Sequence, residues 1–356
     1  MRRLLPLAIL LGLVLPAAPA RALIYLVPPT ACATGSNHAP AIEQFLALVP
    51  NGSTVLFPPG ATCLINPRVN LAVHTPEVDR RADTTYDLNG ATLLRTLEPA
   101  CANNRRCNRP IVDLTGVADV TLANGTIRGA FEPGDAPRYD PAVEKDHGIK
   151  VHAAEGVTLR GLAISNVGGD CVDVDQQGGV GSSAIAFVGT PQAPSSCMRV
   201  GRQGVSATGV NGLSILGVGF DLAGQSFVDV GPRKGWYNRN VTIRSNTFGW
   251  AANRAVFATG PSRSLTNLVV RDNVQTSGAG RGFLFVGNGH ARGPLLIENN
   301  RVRGSSTVVH MSGSATGNVM TSNPGGTACM FSVRRPPGFR VAGNRPVPGV
   351  REACRY

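Results

Sequence analysis

The chain has 356 residues, with 43 glycines, 26 prolines and a formal net charge of +12. A positive charge favours acidic polymers as partners, whereas the scattered arginines and an aromatic content of 5% argue against nucleic acid. Frequent glycine and proline with little helical periodicity predict many short strands and tight turns, and exclude a mainly helical fold.

Residues 1–22 have the features of a signal peptide. Arg2 and Arg3 precede the apolar stretch Leu4–Leu15, and small residues follow where a signal peptidase would cleave. The stretch is too short for a membrane span, and no later segment is apolar for long enough. We therefore expect a secreted, extracellular protein without a transmembrane segment in its mature form. Loss of Arg2, Arg3 and Arg21 lowers the net charge from +12 to +9.

The eight cysteines of an exported chain predict disulfides. Zinc is disfavoured, because the sequence has no C-x-x-C pair and no two cysteines with metal-ligand spacing near a histidine. Many connectivities are possible, and pairing of sequence neighbours is plausible. The expected pairs are Cys32–Cys63, Cys101–Cys107, Cys171–Cys197 and Cys329–Cys354.

The first predicted element is a helix at residues 39–48. Ile42, Phe45 and Leu46 fall on one face, and Asn37 is available as a cap at its N-terminal end. We expect this helix to cover the N-terminal end of the repeat that follows.

A hydrophobic template recurs from residue 55 onward. It has an apolar residue, a second one two positions later, a small, Asn or apolar residue after five and usually an apolar residue after seven. Copies begin at residues 55, 86, 120, 157, 185, 213, 241, 268 and 295, and the later copies are 27–28 residues apart. Each copy predicts two short strands around a corner, whose apolar side chains can be buried only against the adjacent copies.

A third predicted strand precedes each copy, as at residues 148–151, 171–174, 204–207 and 227–230. Three strands per coil and about nine or more coils predict an all-β fold, the right-handed parallel β-helix. Asn246, Asn273 and Asn300 occupy the same template position in successive coils. They predict a corner ladder in which each side chain hydrogen-bonds its neighbour and the turn backbone.

A solenoid must also be closed at its ends, because its cross-section is apolar. The helix is expected to close one end, and a Pro-, Gly- and Arg-rich tail stapled by Cys329 and Cys354 the other. We expect a monomer. The predicted organisation is a signal peptide (1–22), an N-terminal cap (23–52), the β-helix (53–323) and a C-terminal cap or tail (324–356).

Several segments resemble the pectate-lyase-like β-helix proteins. These are Ala33–Asn37 followed by the predicted helix, the run T-V-L-F-P-P-G at Thr54–Gly60, Asp87–Gly90 and Gly156–Asn166. Members of that superfamily open with a D-D-T-x-A-I-Q helix followed by G-G-T-V-x-F-P-P-G-x-Y. The resemblance spans roughly residues 31–320 and implies the fold. Lyases, hydrolases, epimerases, phage tailspikes and adhesins share that fold, so the activity stays open.

Within this superfamily, the polygalacturonase-like hydrolases carry N-T-D, D-D, G-H-G and R-I-K on successive coils of one sheet. The strands that correspond in frame begin at Asp146, Gly169, Arg202 and Phe227. Only Asp170 falls on a catalytic carboxylate position, and Gln203 replaces the histidine. The standard polygalacturonase mechanism is therefore in doubt.

Strand alternation predicts a polar patch independently of this resemblance. If the valines and Ile149 of the third strands point inward, the residues between them point outward on one sheet face. The outward set is Lys150, His152, Asp173, Asp175, Ser206 and Asp229, with Asp170, Arg202 and Gln203 at the strand entrances. Adjacent coils lie about 4.8 Å apart, so these groups form one patch.

Three uses of this patch stay open. In glycoside hydrolysis, Asp173 with Asp229 or Asp170 would supply the two carboxyls. In uronate lysis, Arg202 or Lys150 would be the base, and Asp170, Asp173 and Asp175 could hold Ca²⁺. Simple sugar binding needs a ring platform, which Trp236 or Tyr237 could offer.

The sequence thus predicts a secreted β-helix protein that acts on or binds an extracellular, acidic polysaccharide, as a lyase or hydrolase. The alternative is a non-catalytic β-solenoid that binds a surface or matrix. The candidate catalytic residues are Asp170, Asp173, Asp229, Arg202 and His152. The candidate substrate-binding residues are Lys150, Asp175, Gln203, Arg233, Trp236 and Tyr237.

Overall fold

The computed structural model describes residues 23–33, 35–66, 68–73, 80–96, 109–132, 134–232, 235–260, 264–277, 282–287, 294–303, 307–310, 312–322, 328–333 and 338–355. These residues wind into a right-handed parallel β-helix with three sheets, which confirms the predicted fold. The predicted signal peptide, the Cys101–Cys107 pair and Arg233 lie outside the described residues.

The first sheet contains one strand from each coil, and all of its pairings are parallel. Two long strands turn the corner and also belong to the second sheet, Thr121–Arg128 and Thr158–Ser165. The other strands of the first sheet are Ile24–Leu26, Thr54–Leu56, Thr85–Asp87, Ser182–Val188, Val210–Leu216, Asn238–Arg244, Leu265–Arg271, Leu295–Glu298, Gly313–Thr316 and Phe339–Ala342.

The second and third sheets are also parallel throughout. The second sheet adds Thr62–Leu64, Thr92–Leu94, Ser195–Val200, Val218–Ala223, Thr247–Phe248, Val274–Gln275, Arg301–Arg303 and Val319–Ser322. The third sheet consists of Val69–Asn70, Val112–Asp113, Ile149–His152, Val172–Asp175, Val205–Ala207, Val228–Val230, Arg254–Ala258, Gly282–Val286, Thr307–Val309, Cys329–Val333 and Arg351–Arg355.

The core consists of stacked rows of inward side chains. One row of the first sheet runs through Leu122, Leu159, Phe187, Ile215 and Ile243, each opposite the next and each at most 1% exposed. A side chain in such a row is covered by its equivalents in the coils above and below, which explains why the template recurs in the sequence.

The register of the early coils differs from the template. The template aligns Tyr86 with Val120, but the structure pairs Tyr86 with Leu122. The corner after Tyr86 includes a turn at Asn89 and Gly90 and is two residues longer than the same corner of the next coil. The offset is confined to these early coils, whose loops vary in length.

The helix runs from Ala39 to Leu46 and is two residues shorter than predicted. Asn37 accepts a hydrogen bond from the Ala39 amide at 3.2 Å, although the N-cap position itself is His38. At the other end, the fully buried Arg81 donates hydrogen bonds to the carbonyl oxygens of Leu46 and Val49. Arg81 thus supplies partners to carbonyl groups at the end of the helix, where intrahelical donors run out. A short 3₁₀ helix, Pro29–Cys32, precedes it, and another spans Pro141–Val143.

Parallel pairing extends past the predicted range 53–323 on both sides. Ile24–Leu26 pairs with Thr54–Leu56, and Phe339–Ala342 pairs with Gly313–Thr316. Arg351–Arg355 likewise pairs with Cys329–Val333. The template does not identify the last coils, because the spacing between equivalent asparagines falls to 18 residues and then rises to 26, whereas it is 27 in the coil before them.

The predicted asparagine ladder is present and longer than expected. From the second member onward, each side-chain oxygen accepts hydrogen bonds from the backbone and side-chain amides of the preceding asparagine, at 2.8–3.1 Å. Glu352 ends the ladder by accepting both hydrogen bonds of the last member. The members are Asn246, Asn273, Asn300, Asn318 and Asn344.

The described residues contain three of the four expected disulfides. They join Cys32 to Cys63, Cys171 to Cys197 and Cys329 to Cys354. Disulfides of this number are typical of an oxidising compartment. Within the same residues, none of the helices has the length and apolar character needed to cross a lipid bilayer.

Replacing Asn273 tests the ladder. Asn273→Ala leaves the buried carbonyl of Ile243 and the amides of Asn246 without their partners. We expect a loss of about 2–4 kcal/mol in the free energy of unfolding, measured by denaturant titration. Asn211→Ala is the control, because this exposed asparagine joins only a surface ladder, and it should change stability by about 0.5 kcal/mol or less. Equal losses in the two variants would contradict the role of the buried ladder.

Candidate functional site

The candidate site lies on the outer face of the third sheet. Strand register places Lys150, Asp173, Ser206 and Asp229 opposite one another in successive coils. The residues on either side of each are buried, so these four form one outward row. The row follows directly from the alternation that the sequence shows.

A second row runs along the corner where the chain enters this sheet. The amide of Asp170 donates a hydrogen bond to His147 Nδ1 at 3.1 Å, and the amide of Gln203 donates one to Asp170 Oδ1 at 3.0 Å. All three side chains are at most 5% exposed. The side chains of His147 and Asp170 thus each satisfy a backbone amide of the next coil, as the asparagines do at another corner.

Ser206 connects the two rows. Its Oγ lies 2.7 Å from Asp170 Oδ2 and 2.9 Å from Asp173 Oδ1. A hydroxyl has one proton to donate, so Ser206 donates to one of the two carboxyls at a time. Burial raises the pKa of Asp170 above its usual range, against the lowering effects of Arg202 and of the hydrogen bonds from Ser206 and the Gln203 amide. Ser206 therefore couples the buried carboxyl to Asp173.

Asp173 is the ionised member of the group. His152 Nε2 lies 2.8 Å from Asp173 Oδ2, and His147 Nε2 lies 3.4 Å from the same oxygen. Burial alone would raise the pKa of Asp173, but the two imidazoles and the hydrogen bonds from His152 and Ser206 hold it below its usual range. Asp173 keeps 15% of its side chain exposed, whereas Asp170 has none.

His147 is neutral near pH 7. Its Nδ1 accepts the Asp170 amide hydrogen, so the proton of the neutral ring is on Nε2 and faces Asp173. Burial is the main reason that the pKa of His147 falls to about 4, and the positive charge of Arg202 adds to it.

Two predicted roles change because of burial. Asp170 is fully buried and forms a 3.0 Å ion pair with Arg202, so it cannot touch a polysaccharide and instead positions Ser206 and Gln203. Asp175 is 6% exposed, and its carboxylate accepts the next backbone amide at 2.7 Å. The sequence did not show this burial because both residues lie at strand ends, where alternation no longer applies.

Asp229 lies two coils from Asp173 in the outward row. Its Oδ2 accepts a hydrogen bond from the Gln203 side-chain amide, while its Oδ1 has no hydrogen-bond partner among the described residues. Burial raises the pKa of Asp229 to about 6, against the lowering effects of Arg202 and this hydrogen bond. Asp229 therefore holds a proton under mildly acidic conditions.

A cleft of about 450 Å³ lies beside Asp229. Tyr139, from the loop 134–146, lines one side of the cleft and donates a hydrogen bond to Glu144 at 2.6 Å. The loop lies close to the coil below it, since a Cβ on Gly224 would be 3.0 Å from the Tyr139 amide nitrogen. This loop has no periodicity, so no sequence signal placed Tyr139 at the site.

Aromatic side chains continue the outward row past Asp229. Phe257 is opposite Asp229, and Phe285 is opposite Phe257. Their rings stack with centroids 5.3 Å apart and remain half-buried. Phe257 follows the same strand alternation as Asp229. The predicted patch omits it because that patch contains polar side chains alone.

The expected ring platform lies elsewhere. Trp236 and Tyr237 follow the strand that carries Asp229, so they lie at the exit edge of the third sheet. Trp236 packs near Gly181, and the guanidinium of Arg239 lies 4.1 Å from the centre of the Tyr237 ring. The structure therefore does not bring these aromatic side chains to the entrance corner.

The residues fit Ca²⁺ poorly. Among the described residues, the possible ligand atoms within 4.8 Å of one another belong to His147, Asp170 and Asp173, and Asp175 is not among them. Ca²⁺ prefers about six to eight oxygen ligands. Here one ligand is a ring nitrogen, and the Asp170 carboxyl is already bound by Arg202.

The buried histidine predicts a pH dependence of stability. The pKa of His147 is 6.5 when unfolded and about 4 when folded, so its contribution is complete above pH 6.5 and is lost as the pH falls toward 4. His147→Asn keeps an acceptor for the Asp170 amide but cannot titrate. The free energy of unfolding of wild type minus that of this variant should decrease by about 2–3 kcal/mol between pH 7 and pH 4, measured by denaturant titration at each pH. Parallel curves would refute a buried, neutral His147.

Comparison with known proteins supports the fold. No family model and no curated protein sequence matches the chain. The surface protein and adhesin PfbA of Streptococcus pneumoniae is similar in structure, with a TM-score of 0.58, 12% identity, and 93% of this chain and 99% of PfbA covered. An alginate lyase from Paenibacillus has a TM-score of 0.50 and 13% identity, with 88% and 95% covered. A family 28 exopolygalacturonase from Yersinia enterocolitica has a TM-score of 0.50 and 11% identity, with 93% and 79% covered. The chain therefore has the right-handed parallel β-helix fold of the pectate-lyase-like proteins.

Proposed function

We propose that this protein is a secreted glycoside hydrolase that cleaves an acidic extracellular polysaccharide on the outer face of the third sheet. The observation that carries the proposal is the pair Asp173 and Asp229. They lie in the same outward row, and their surroundings move their pKa values in opposite directions. Such divergence identifies an acid and a base among carboxyl groups.

The Cα spacing of this pair is closer to the inverting than to the retaining arrangement. One strand separates Asp173 from Asp229, so their Cα atoms are roughly 9–10 Å apart. Inverting hydrolases need about 6.5–9.5 Å between the carboxyls to hold a water molecule, whereas retaining hydrolases need about 5 Å. Asp170 does not replace Asp229 in this pair, because it is buried.

The reaction follows from the protonation states. Asp229 gives its proton to the glycosidic oxygen as the bond from that oxygen to the anomeric carbon breaks. Asp173 takes a proton from water, whose oxygen forms the new bond to that carbon on the opposite face. Proton exchange with solvent restores both groups. His152 and Ser206 orient the Asp173 carboxylate through their hydrogen bonds.

Uronate lysis is less well supported. It would use Arg202 or Lys150 as the base, but Arg202 is paired with Asp170, and its pKa is raised by the carboxylates around it, although burial alone would lower it. Lys150 lies 3.9 Å from Asp113 and donates a hydrogen bond to Gln177. Both cations are better placed to attract an anionic sugar than to remove a proton.

The acidic substrate is inferred from charge. The net charge is +12 for the whole chain, and Lys150 and Arg202 flank Asp173 with 21% and 26% of their side chains exposed. An alginate lyase and an exopolygalacturonase share the fold, which agrees with a polysaccharide as substrate. The predicted signal peptide and the disulfides agree with secretion.

The second candidate is a non-catalytic solenoid that binds a surface or matrix. The low exposure of Asp173 favours it, because 15% leaves little of the carboxylate open to water or substrate. The adhesin PfbA shows that this fold also occurs in a surface protein. Turnover by the mature protein separates the two candidates.

Removing either carboxyl tests the hydrolase. Asp229→Asn and Asp173→Asn should each lower kcat by about 10²–10⁴-fold, measured as reducing ends released from a panel of acidic polysaccharides. Asp272→Asn is the matched control, because Asp272 forms ion pairs with arginines of the first sheet, away from the site, and it should keep full activity. Turnover that survives Asp229→Asn would rule out the assigned acid.

The pH profile tests the protonation states. Asp229 must be protonated and its pKa is about 6, so kcat/KM should fall as the pH rises through 6. Asp173 must be ionised, and its pKa lies below the usual range. On the acidic side, kcat/KM should therefore fall only below the pH at which an ordinary carboxyl takes up a proton. Activity that increases above pH 7 would contradict these roles.

A further inference from the structure

We propose that the cleft beside Asp229 is a subsite for an uncharged sugar unit, whose ring packs on Phe257. This inference rests on the proposed function and names part of its substrate. Asp229, as the acid, lies on the side of the leaving group, so the unit in the cleft would be the leaving group. The substrate would then join an anionic unit, held near Asp173, to a neutral unit.

The size and the lining of the cleft fit one sugar. Its volume of about 450 Å³ lies within the range of small-molecule sites, roughly 300–1,000 Å³. Side-chain amides and hydroxyls, which both donate and accept hydrogen bonds, can pair with sugar hydroxyls in either direction. The polar lining side chains include Tyr139, Gln203, Gln225, Ser226 and Asn253.

The charge of the lining excludes a uronate. Among the described residues that line the cleft there is one carboxyl, Asp229, and no Lys, Arg or His. The nearby guanidinium groups of Arg202 and Arg254 are engaged by Asp170 and by the Phe285 ring. A carboxylate on the bound sugar would therefore lose water without a cation in the lining to pair with it. Lys150 and Arg202 flank Asp173, where an anionic unit would be held.

Phe257 supplies the apolar surface that a sugar ring needs. It lies opposite Asp229 in the register, lines the cleft and is half-buried. Phe285 stacks on it with an interplanar angle of 15°, and the guanidinium of Arg254 lies 5.1 Å from the centre of the Phe285 ring. These contacts hold the rings in place, so packing a sugar on Phe257 costs little conformational entropy.

The test is binding, measured without turnover. Wild type and the inactive Asp173→Asn protein are titrated with neutral disaccharides of glucose, galactose, mannose or xylose, and with uronate disaccharides. Saturation-transfer NMR from the aromatic protons reports packing on a phenyl ring. We expect transfer to at least one neutral disaccharide. Phe257→Ala should weaken its binding about tenfold, whereas Trp236→Ala at the opposite edge should leave it unchanged.

A second variant keeps the test decisive if Phe257→Ala does not fold. Asn253→Lys places a cation at the cleft without altering the core, and it should shift the preference toward the uronate disaccharides. Circular dichroism and Tm verify that each variant is folded. The inference is overturned if uronates bind wild type better than every neutral disaccharide, or if Phe257→Ala and Asn253→Lys both bind as wild type does.

Failure of the subsite and failure of the hydrolase give different results. If neutral sugars bind through Phe257 but Asp229→Asn still turns over substrate, the hydrolase assignment fails and the subsite stands. If Asp229→Asn abolishes turnover while the cleft variants bind normally, the subsite fails and the hydrolase stands.

Discussion

The fold depends on satisfying the backbone amides at the corners of each coil. Strand pairing takes up the N–H and C=O groups within the sheets, but a corner turns some of these groups toward the interior, where water cannot reach them. At one corner the asparagine ladder supplies partners from coil to coil. At the entrance to the third sheet, His147 and Asp170 accept the corner amides instead. The same structural need is therefore met by titratable side chains at the candidate site.

That substitution produces the electrostatics of the site. A buried amide side chain has no charge to lose, whereas a buried carboxyl or imidazole is driven toward its neutral form. Burial raises the pKa of Asp170 and lowers that of His147. Ser206 contacts both Asp170 and the ionised carboxylate of Asp173. The corner row thus sets the state of the outward row without touching a ligand.

The sequence could predict what repeats, but not what varies from coil to coil. Periodicity revealed the three strands, the stacked core and Asn246, Asn273 and Asn300, because each position is buried in every coil. Alternation placed Asp173 and Asp229 on one face. It could not show that Asp170 is buried, since corners do not alternate, nor place Tyr139, which lies in a loop of irregular length. The coils after residue 300 stayed hidden because one of them has only 18 residues.

The scaffold alone does not distinguish a hydrolase from an adhesin, since both occur on it, and the cost of the buried groups bears on that choice. Binding a matrix polymer requires polar side chains at the surface, and these cost little folding stability. Placing an imidazole and a carboxyl in the interior lowers stability, even when both are neutral and hydrogen-bonded. The asparagine ladder shows that this chain can satisfy a corner without that cost. Carboxyls whose pKa values are moved apart, with that of Asp173 lowered and that of Asp229 raised to about 6, suit proton transfer, whereas adhesion needs no such difference.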